Sequence, residues 1–175
     1  MIPWSQTLVS IPASAAGFTS NSATDMIPNG DYIFPAAFFA IGTKFRMHAS
    51  GVCTSSSTPG TFTFGIALGS SVINQAFGAI TLVASATTQK WWADFDVECR
   101  ALGASTSTTF VATGLFLTST ALVAAGVTCL PIGTGITAGT GVSNVATQTL
   151  SLQGAFSLTT GTMVVEQYEV VLLQA

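Results

Sequence analysis

Hydrophobic and polar residues alternate one for one along several stretches of this chain, most cleanly over Trp91–Ala101. Trp91, Ala93, Phe95, Val97, Cys99 and Ala101 occupy one set of positions; Trp92, Asp94, Asp96, Glu98 and Arg100 occupy the other. Successive side chains of a strand point to opposite faces, so a period of two predicts a half-buried strand, whereas a helix would mix the two sets. Thr43–Ser50 alternates in the same way, with Phe45 and Met47 on one side and Lys44, Arg46 and His48 on the other. A turn-rich linker from Gly51 to Gly60 leads into Thr61–Leu68, where Phe62, Phe64, Ile66 and Leu68 share a face. A Pro-led apolar corner, Phe34–Gly42, precedes the first of these strands.

Further along, Thr108–Leu117 places Phe110, Ala112, Gly114 and Phe116 together, and Leu150, Leu152 and Ala155 or Phe156 continue the pattern. Met163–Leu173 closes the chain with Val164, Tyr168, Val170 and Leu172 on one face and Glu166 as an exception. Two short apolar runs, Val72–Ala76 and Ala79–Val83, suggest short strands or a bent hairpin, and Ser119–Val127 an Ala-rich helical turn weakened by Val, Thr and Gly. Pro131 to Ser143 is a long Gly/Thr-rich loop. About eight strands, with turn signals roughly every 8–15 residues, predict an all-β, antiparallel two-sheet β-sandwich or jelly roll. Residues 31–175 form that domain. Residues 1–30, interrupted by Pro3, Pro12 and Pro28, are expected as an extended N-terminal arm, with room for one short strand at Leu8, Val9 and Ile11.

Composition sharpens the picture. Charged residues make up 6 % of the chain and hydrophobic residues 49 %, against an ordinary charged share of about 25 %. Disordered chains are charged and poor in aromatics, so this chain is expected to fold. A surface with so few charges suits a protein buried against copies of itself or a larger assembly better than a free monomer. The net charge of −3 and four scattered cations, Lys44, Arg46, Lys90 and Arg100, argue against nucleic acid as a partner. The N-terminus lacks the basic and apolar regions of a secretory signal, and no run of about 20 apolar residues predicts a membrane span. Cys53, Cys99 and Cys129 have no metal-ligand spacing and are expected as free, mostly buried thiols of a reducing compartment.

Several pieces together resemble small jelly-roll virion proteins of tailed bacteriophages. They are the Pro corner with Pro35, Phe38, Phe39 and Gly42; the alternating strand ending in Gly51; PGTFTFGIALG; and KWWADFDVECRALGASTSTTFVATG with its Gly103 and Gly114. The closing pair, QTLSLQGAF followed by GTMVVEQYEVVLL, is similar to that family's last two strands. The resemblance covers about residues 30–173. It implies a jelly-roll domain, commonly trimeric, displayed on a phage particle as a capsid decoration protein, head fibre or part of a tail appendage. The low charge and the Gly-rich stretch near 133–143 depart from the pattern.

The sharpest candidate for chemistry is the stripe Asp94, Asp96, Glu98. Alternate residues of one strand lie about 7 Å apart, and Ca²⁺ wants six to eight converging oxygens, so a solvated or interface-facing stripe is the expectation and no metal or other cofactor is. The Lys44, Arg46, His48 stripe is expected beside the last strand, near Glu166 or Glu169, with the acidic stripe on the other sheet, free to meet a neighbouring subunit or the capsid. His48 lacks a nucleophile partner, there is no GxSxG elbow, and no carboxylate pair is set to flank a groove; no enzyme is expected. The expectation is therefore a homotrimeric capsid decoration or minor capsid protein in the virion, assembled in the host cytoplasm and bound to the major capsid protein or other virion proteins. Trp4, Leu8, Val9, Ile11, Trp92, Asp94, Asp96 and Glu98 are the expected interface. The alternative is a tail-appendage or receptor-binding module, with Trp92 and the loop residues Thr134, Gly135, Thr137 and Thr140 facing a host receptor. A cellular adhesin is the third and weakest class.

Overall fold

A computed structural model describes residues 4–11, 16–28, 30–75, 80–103, 107–118, 128–131 and 137–174, with the backbone alone for 4, 71–75, 128–131, 137–141 and 174. Thirteen strands occur among the described residues: β1 (Trp4–Ile11), β2 (Thr24–Asp25), β3 (Tyr32–Phe34), β4 (Lys44–Ser55), β5 (Thr61–Leu68), β6 (Ser71–Gln75) and β7 (Ile80–Thr81), followed by β8 (Gln89–Ala101), β9 (Thr108–Thr118), β10 (Thr128–Pro131), β11 (Thr137–Val142), β12 (Gln148–Phe156) and β13 (Gly161–Gln174). The larger sheet runs β1-β13-β4-β8-β9-β10, with β11 also paired to β9; the smaller runs β2-β12-β5-β6, with β3 on β12 and β7 on β5. Every pairing is antiparallel. The antiparallel β-sandwich expected from the alternation is the fold, with more and shorter strands than about eight.

Two sheet-to-sheet crossings nest inside one another. The chain passes from β4 to β5 and, near its end, from β12 back to β13, while β13 lies beside β4 and β12 beside β5. Alternation decides what goes between the sheets. Phe45, Met47, Ala49 and Cys53 of β4, Ala93, Phe95 and Val97 of β8, and Phe110 and Phe116 of β9 are buried. They meet Phe62, Phe64, Ile66 and Leu68 of β5 and Leu150, Leu152 and Phe156 of β12 in one hydrophobic core. Aromatic rings fill both ends. Phe34 packs 4.7 Å from Phe38, 4.9 Å from Phe39 and 5.5 Å from Phe45, so the Pro35 corner plugs one end. At the other, Phe62 lies 4.6 Å from Phe156, and Phe64 5.3 Å from Trp91 and 5.2 Å from Phe116. Asn144 clamps the corner: its side-chain oxygen accepts from Phe39 N–H and its amide donates to Phe39 C=O, both at 3.0 Å.

Three expectations change. First, the described part of the expected arm, residues 4–11, 16–28 and 30, packs on the sandwich. Trp4–Ile11 pairs with the last strand, Leu8, Val9 and Ile11 pack partly buried on the core, and Phe18, Met26 and Ile27 are buried. Leu8, Val9 and Ile11 of the expected interface therefore contact the chain's own core while remaining partly exposed; the Trp4 side chain lies outside the described residues. Second, much of the expected 131–143 loop is strand. Thr137–Val142 pairs with β9, so Thr137 and Thr140 belong to β11, while Thr134 and Gly135, like the expected helical turn at 119–127, lie outside the described residues. Third, Glu166 ceases to be an exception. A bulge between Val165 and Gln167 shifts the inward set to Met163, Val165, Tyr168, Val170 and Leu172, which turns Val164 and Glu166 outward.

Cys53 and Cys99 are free and buried, and burial pushes the Cys53 thiol up to about 12, which makes it a packing residue rather than a nucleophile. Asp31 differs from the other acids. Burial, the Asp25 charge and a side-chain hydrogen bond with Asp25 raise its carboxyl to about 6.

Two outcomes follow from these local contacts. A Cβ on Gly51 would overlap the Val164 carbonyl oxygen and crowd Glu166 N at 3.0 Å, so Gly51→Ala should destabilise by about 1–3 kcal/mol in denaturant titration and disturb the bulge. Asp31, whose pKa is higher folded than unfolded, gives stability that is complete below about pH 4 and lost as pH rises through about 6. Asp31→Asn should therefore raise the thermal midpoint above the parent protein at neutral pH and lose that advantage in acid; equal midpoints at both would contradict the raised Asp31 carboxyl.

Candidate functional site

Of the chain's charged side chains, all but Asp25 and Asp31 stand on the outer face of the larger sheet: Lys44 and Arg46 on β4, Lys90, Asp94, Asp96, Glu98 and Arg100 on β8, and Glu166 and Glu169 on β13. Register brings them together. The outward positions of β4 and β8 pair as Lys44↔Glu98, Arg46↔Asp96 and His48↔Asp94, because the same period of two that buries Phe45 and Phe95 lifts their neighbours to one surface.

This placement corrects the expected one. The acidic stripe lies in the same sheet as the basic stripe, directly beside it. Arg46 forks onto Asp96, Nε to Oδ1 at 2.8 Å and Nη2 to Oδ2 at 3.1 Å, and Lys44 Nζ reaches the same carboxylate at 3.2 Å. Burial opposes ionisation of Asp96, but hydrogen bonds and positive charge from Arg46 and Lys44 hold its carboxyl below the usual range. Glu98 takes Arg100 at 3.3 Å. Glu166, turned outward by the bulge, takes Lys90 at 2.7 Å. Glu169 stands opposite His48 as expected, but accepts from the Thr7 hydroxyl at 3.0 Å. Exposed pairs of this kind add little stability each, typically under 1 kcal/mol. Their larger effect is to leave the face nearly self-neutralised. No group of three candidate ligands for a metal occurs among the described residues.

One triplet is more ordered than the rest. Trp92 Nε1–H donates to His48 Nε2 at 3.1 Å, and His48 Nδ1 lies 3.0 Å from Asp94 Oδ1. An indole nitrogen can only donate, so Nε2 must accept and the imidazole proton sits on Nδ1, facing the carboxylate. The chain Asp94–His48–Trp92 thus fixes both tautomer and indole orientation, with the His48 and Trp92 rings 5.2 Å apart. Alternation flagged Trp92 and Asp94. It could not flag His48 as their partner, because that pairing is made across 44 and 46 residues of sequence.

The smaller sheet contrasts with this face. On its central strands Thr61 and Thr63 of β5 and Thr149, Gln153 and Ala155 of β12 are partly exposed, with no charge among them, while Gly65, Ala67 and Ser151 in the same alternation are buried, and β3 adds Ile33, 61 % exposed, beside Thr149.

No protein family matches the chain in sequence, and no curated protein matches it either. Among solved structures it is similar to the CBM2 module of the evolved Dit of Lactobacillus casei BL23 phage J-1, at 8 % identity and a TM-score of 0.44 over 100 % of this chain and 99 % of that one. The overlap is too loose to carry a statement about function.

His48→Ala, which removes the acceptor, should shift the Trp92 indole N–H resonance and speed its exchange with solvent in the folded protein. An indole resonance unchanged in that variant would refute the triplet.

Proposed function

We propose that this protein is a structural virion component of a tailed bacteriophage, acting as a homotrimeric decoration or minor capsid protein on the head and not as an enzyme. The observation that carries the reading is the separation of charge between the two sheets. Monomeric proteins keep charges spread over their surface for solubility. Here one broad face is almost self-neutralised, and the partly exposed positions of β5 and β12 are Thr61, Thr63, Thr149, Gln153 and Ala155, with the exposed Ile33 alongside. An uncharged patch of small and hydroxyl-bearing residues packs at little desolvation cost, which suits contacts with copies of this chain or with capsid subunits. The resemblance of the Pro corner, the Trp-led strand and the last two strands to small jelly-roll virion proteins points to the same setting. Docking would cement the shell by mass action, since the protein would bind the assembled lattice and not its separated parts.

A second reading is favoured by Trp92. It is half-buried, pinned, and placed at one end of the charged face, where a tail-appendage module would contact a host surface.

Cryo-electron microscopy of particles from cells making this protein separates the two. Density at every capsomer or local threefold supports the cementing role, and Gln153→Glu on the smaller sheet should then reduce occupancy. Density at the tail or a single vertex supports the second reading and removes the first. Particles without the protein would remove both.

A further inference from the structure

Beside the pinned indole lies a shallow depression of about 200 Å³, lined by Lys90, Trp91, Trp92, Leu117 and Thr118. Its components differ in chemistry. Trp92 contributes an aromatic surface and Leu117, its cross-strand neighbour on β9, an apolar floor. Lys90, with its side chain 70 % exposed, stands at the rim, joined to Glu166 at 2.7 Å. Trp91 is 2 % exposed, and its buried indole N–H has no partner among the described residues.

We propose that this depression binds a neutral pyranose unit of an oligosaccharide, with Trp92 as the stacking surface and Lys90, its charge balanced by Glu166 outside the depression, donating to ring hydroxyls. A sugar ring has an apolar face of C–H bonds and a polar rim, and the site repeats that division: an aromatic plate bordered by a cation that donates. The shallowness suits a flat ring, whereas an apolar side chain of a protein partner gains most in a deep pocket. Because Lys90 and Glu166 cancel, the site favours neither phosphate nor an acidic sugar. Covering that pair with a second copy of the chain would strip water from both ions without replacing their hydrogen bonds.

The Asp94–His48–Trp92 chain gives the site its rigidity. Orienting a free tryptophan on binding costs side-chain entropy; this one is already held at Nε1, so the loss is taken on folding. His48 and Asp94 are thus positioning residues, acting through Trp92 and not on the sugar.

The proposal deepens the second reading above but is tested on the isolated protein, so an outcome at the bench and a position on the particle can fail separately. Cellohexaose, maltohexaose and chitohexaose are titrated into the full chain by isothermal calorimetry, with indole N–H resonances followed by NMR and oligomeric state by light scattering. Binding of at least one, in the millimolar range or tighter and with the Trp92 resonance shifting, is expected. Trp92→Ala should weaken it at least about tenfold, Lys90→Ala by several-fold, and Glu98→Gln, remote on the same strand, not at all. His48→Gln should weaken binding while leaving the thermal midpoint near the parent value. Should Trp92→Ala fail to fold, Lys90→Ala and Trp92→Phe, which keeps a ring but loses the N–H, carry the test. Absence of binding by all three sugars, or binding that Trp92→Ala and Lys90→Ala leave unchanged, overturns it. So does a parent oligomer that Trp92→Ala dissociates without any sugar having bound, which would make Trp92 a contact between subunits.

Discussion

The register of β4 against its two neighbours is the constraint from which the rest of the structure descends. β4 is held by β13 on one side and β8 on the other, and its alternation must satisfy both at once. With Phe45, Met47, Ala49 and Cys53 inward, Lys44, Arg46 and His48 have no choice but the outer face. A slip of one residue would bury Arg46 and expose Phe45, at a cost far above any gain from a different pairing. The ion pairs, the Trp92 brace and the aromatic plugs are all downstream of that choice. The surface electrostatics do not define the register; the apolar face does, and the charges agree with it.

This explains how much could be read beforehand. A period of two is a local property, so the strands that carry it, around Phe45, Phe64, Phe95 and Leu152, were visible from their own residues, as was the two-layer class; the turn-rich linker expected from Gly51 begins only after Ser55, because β4 runs on to that residue. Partner choice is not local. Nothing in Trp91–Ala101 says whether it lies beside β4 or across from it, and the acidic stripe was accordingly placed on the wrong sheet. Residues 1–30 look open because prolines and small residues dominate them, yet Phe18, Met26 and Ile27 are buried and β1 completes an edge. Edge strands need little hydrophobicity of their own when the neighbour supplies the ladder. The Val165–Gln167 bulge left one trace, Glu166 out of phase. Gly51 opposite it was the other half of the signal, since only a residue without a Cβ allows the Val164 carbonyl so close.

The two outer faces then impose different kinds of contact. On the larger sheet, each acid of β8 is engaged by a neighbour, so a partner docking there must either keep those pairs or break them and bury charge. On the smaller sheet no such penalty exists over the partly exposed positions of β5 and β12. Nine of the eleven Asp, Glu, Lys and Arg side chains stand on the larger sheet, Asp25 and Asp31 excepted; under the proposed function that asymmetry would give the molecule an inside and an outside with respect to an assembly. Chains that pack on a particle surface need that polarity: one face to lie against other subunits and one to remain in water.

Placing the ordered Trp92 on the watered side is consistent with that division, and the manner of its placement narrows what it is for. A tryptophan meant for a subunit contact needs no polar brace, because the partner would order it. A brace built from a fixed imidazole tautomer and a carboxylate, both on neighbouring strands, orders the ring before anything arrives. Strands position such a group to within a fraction of an ångström, where the loops at the sandwich ends would leave it mobile. The arrangement therefore favours a ligand that cannot supply its own ordering energy. Such a ligand is small, weakly held and met many times over, as a single sugar unit is when the same site is repeated across many copies of one chain.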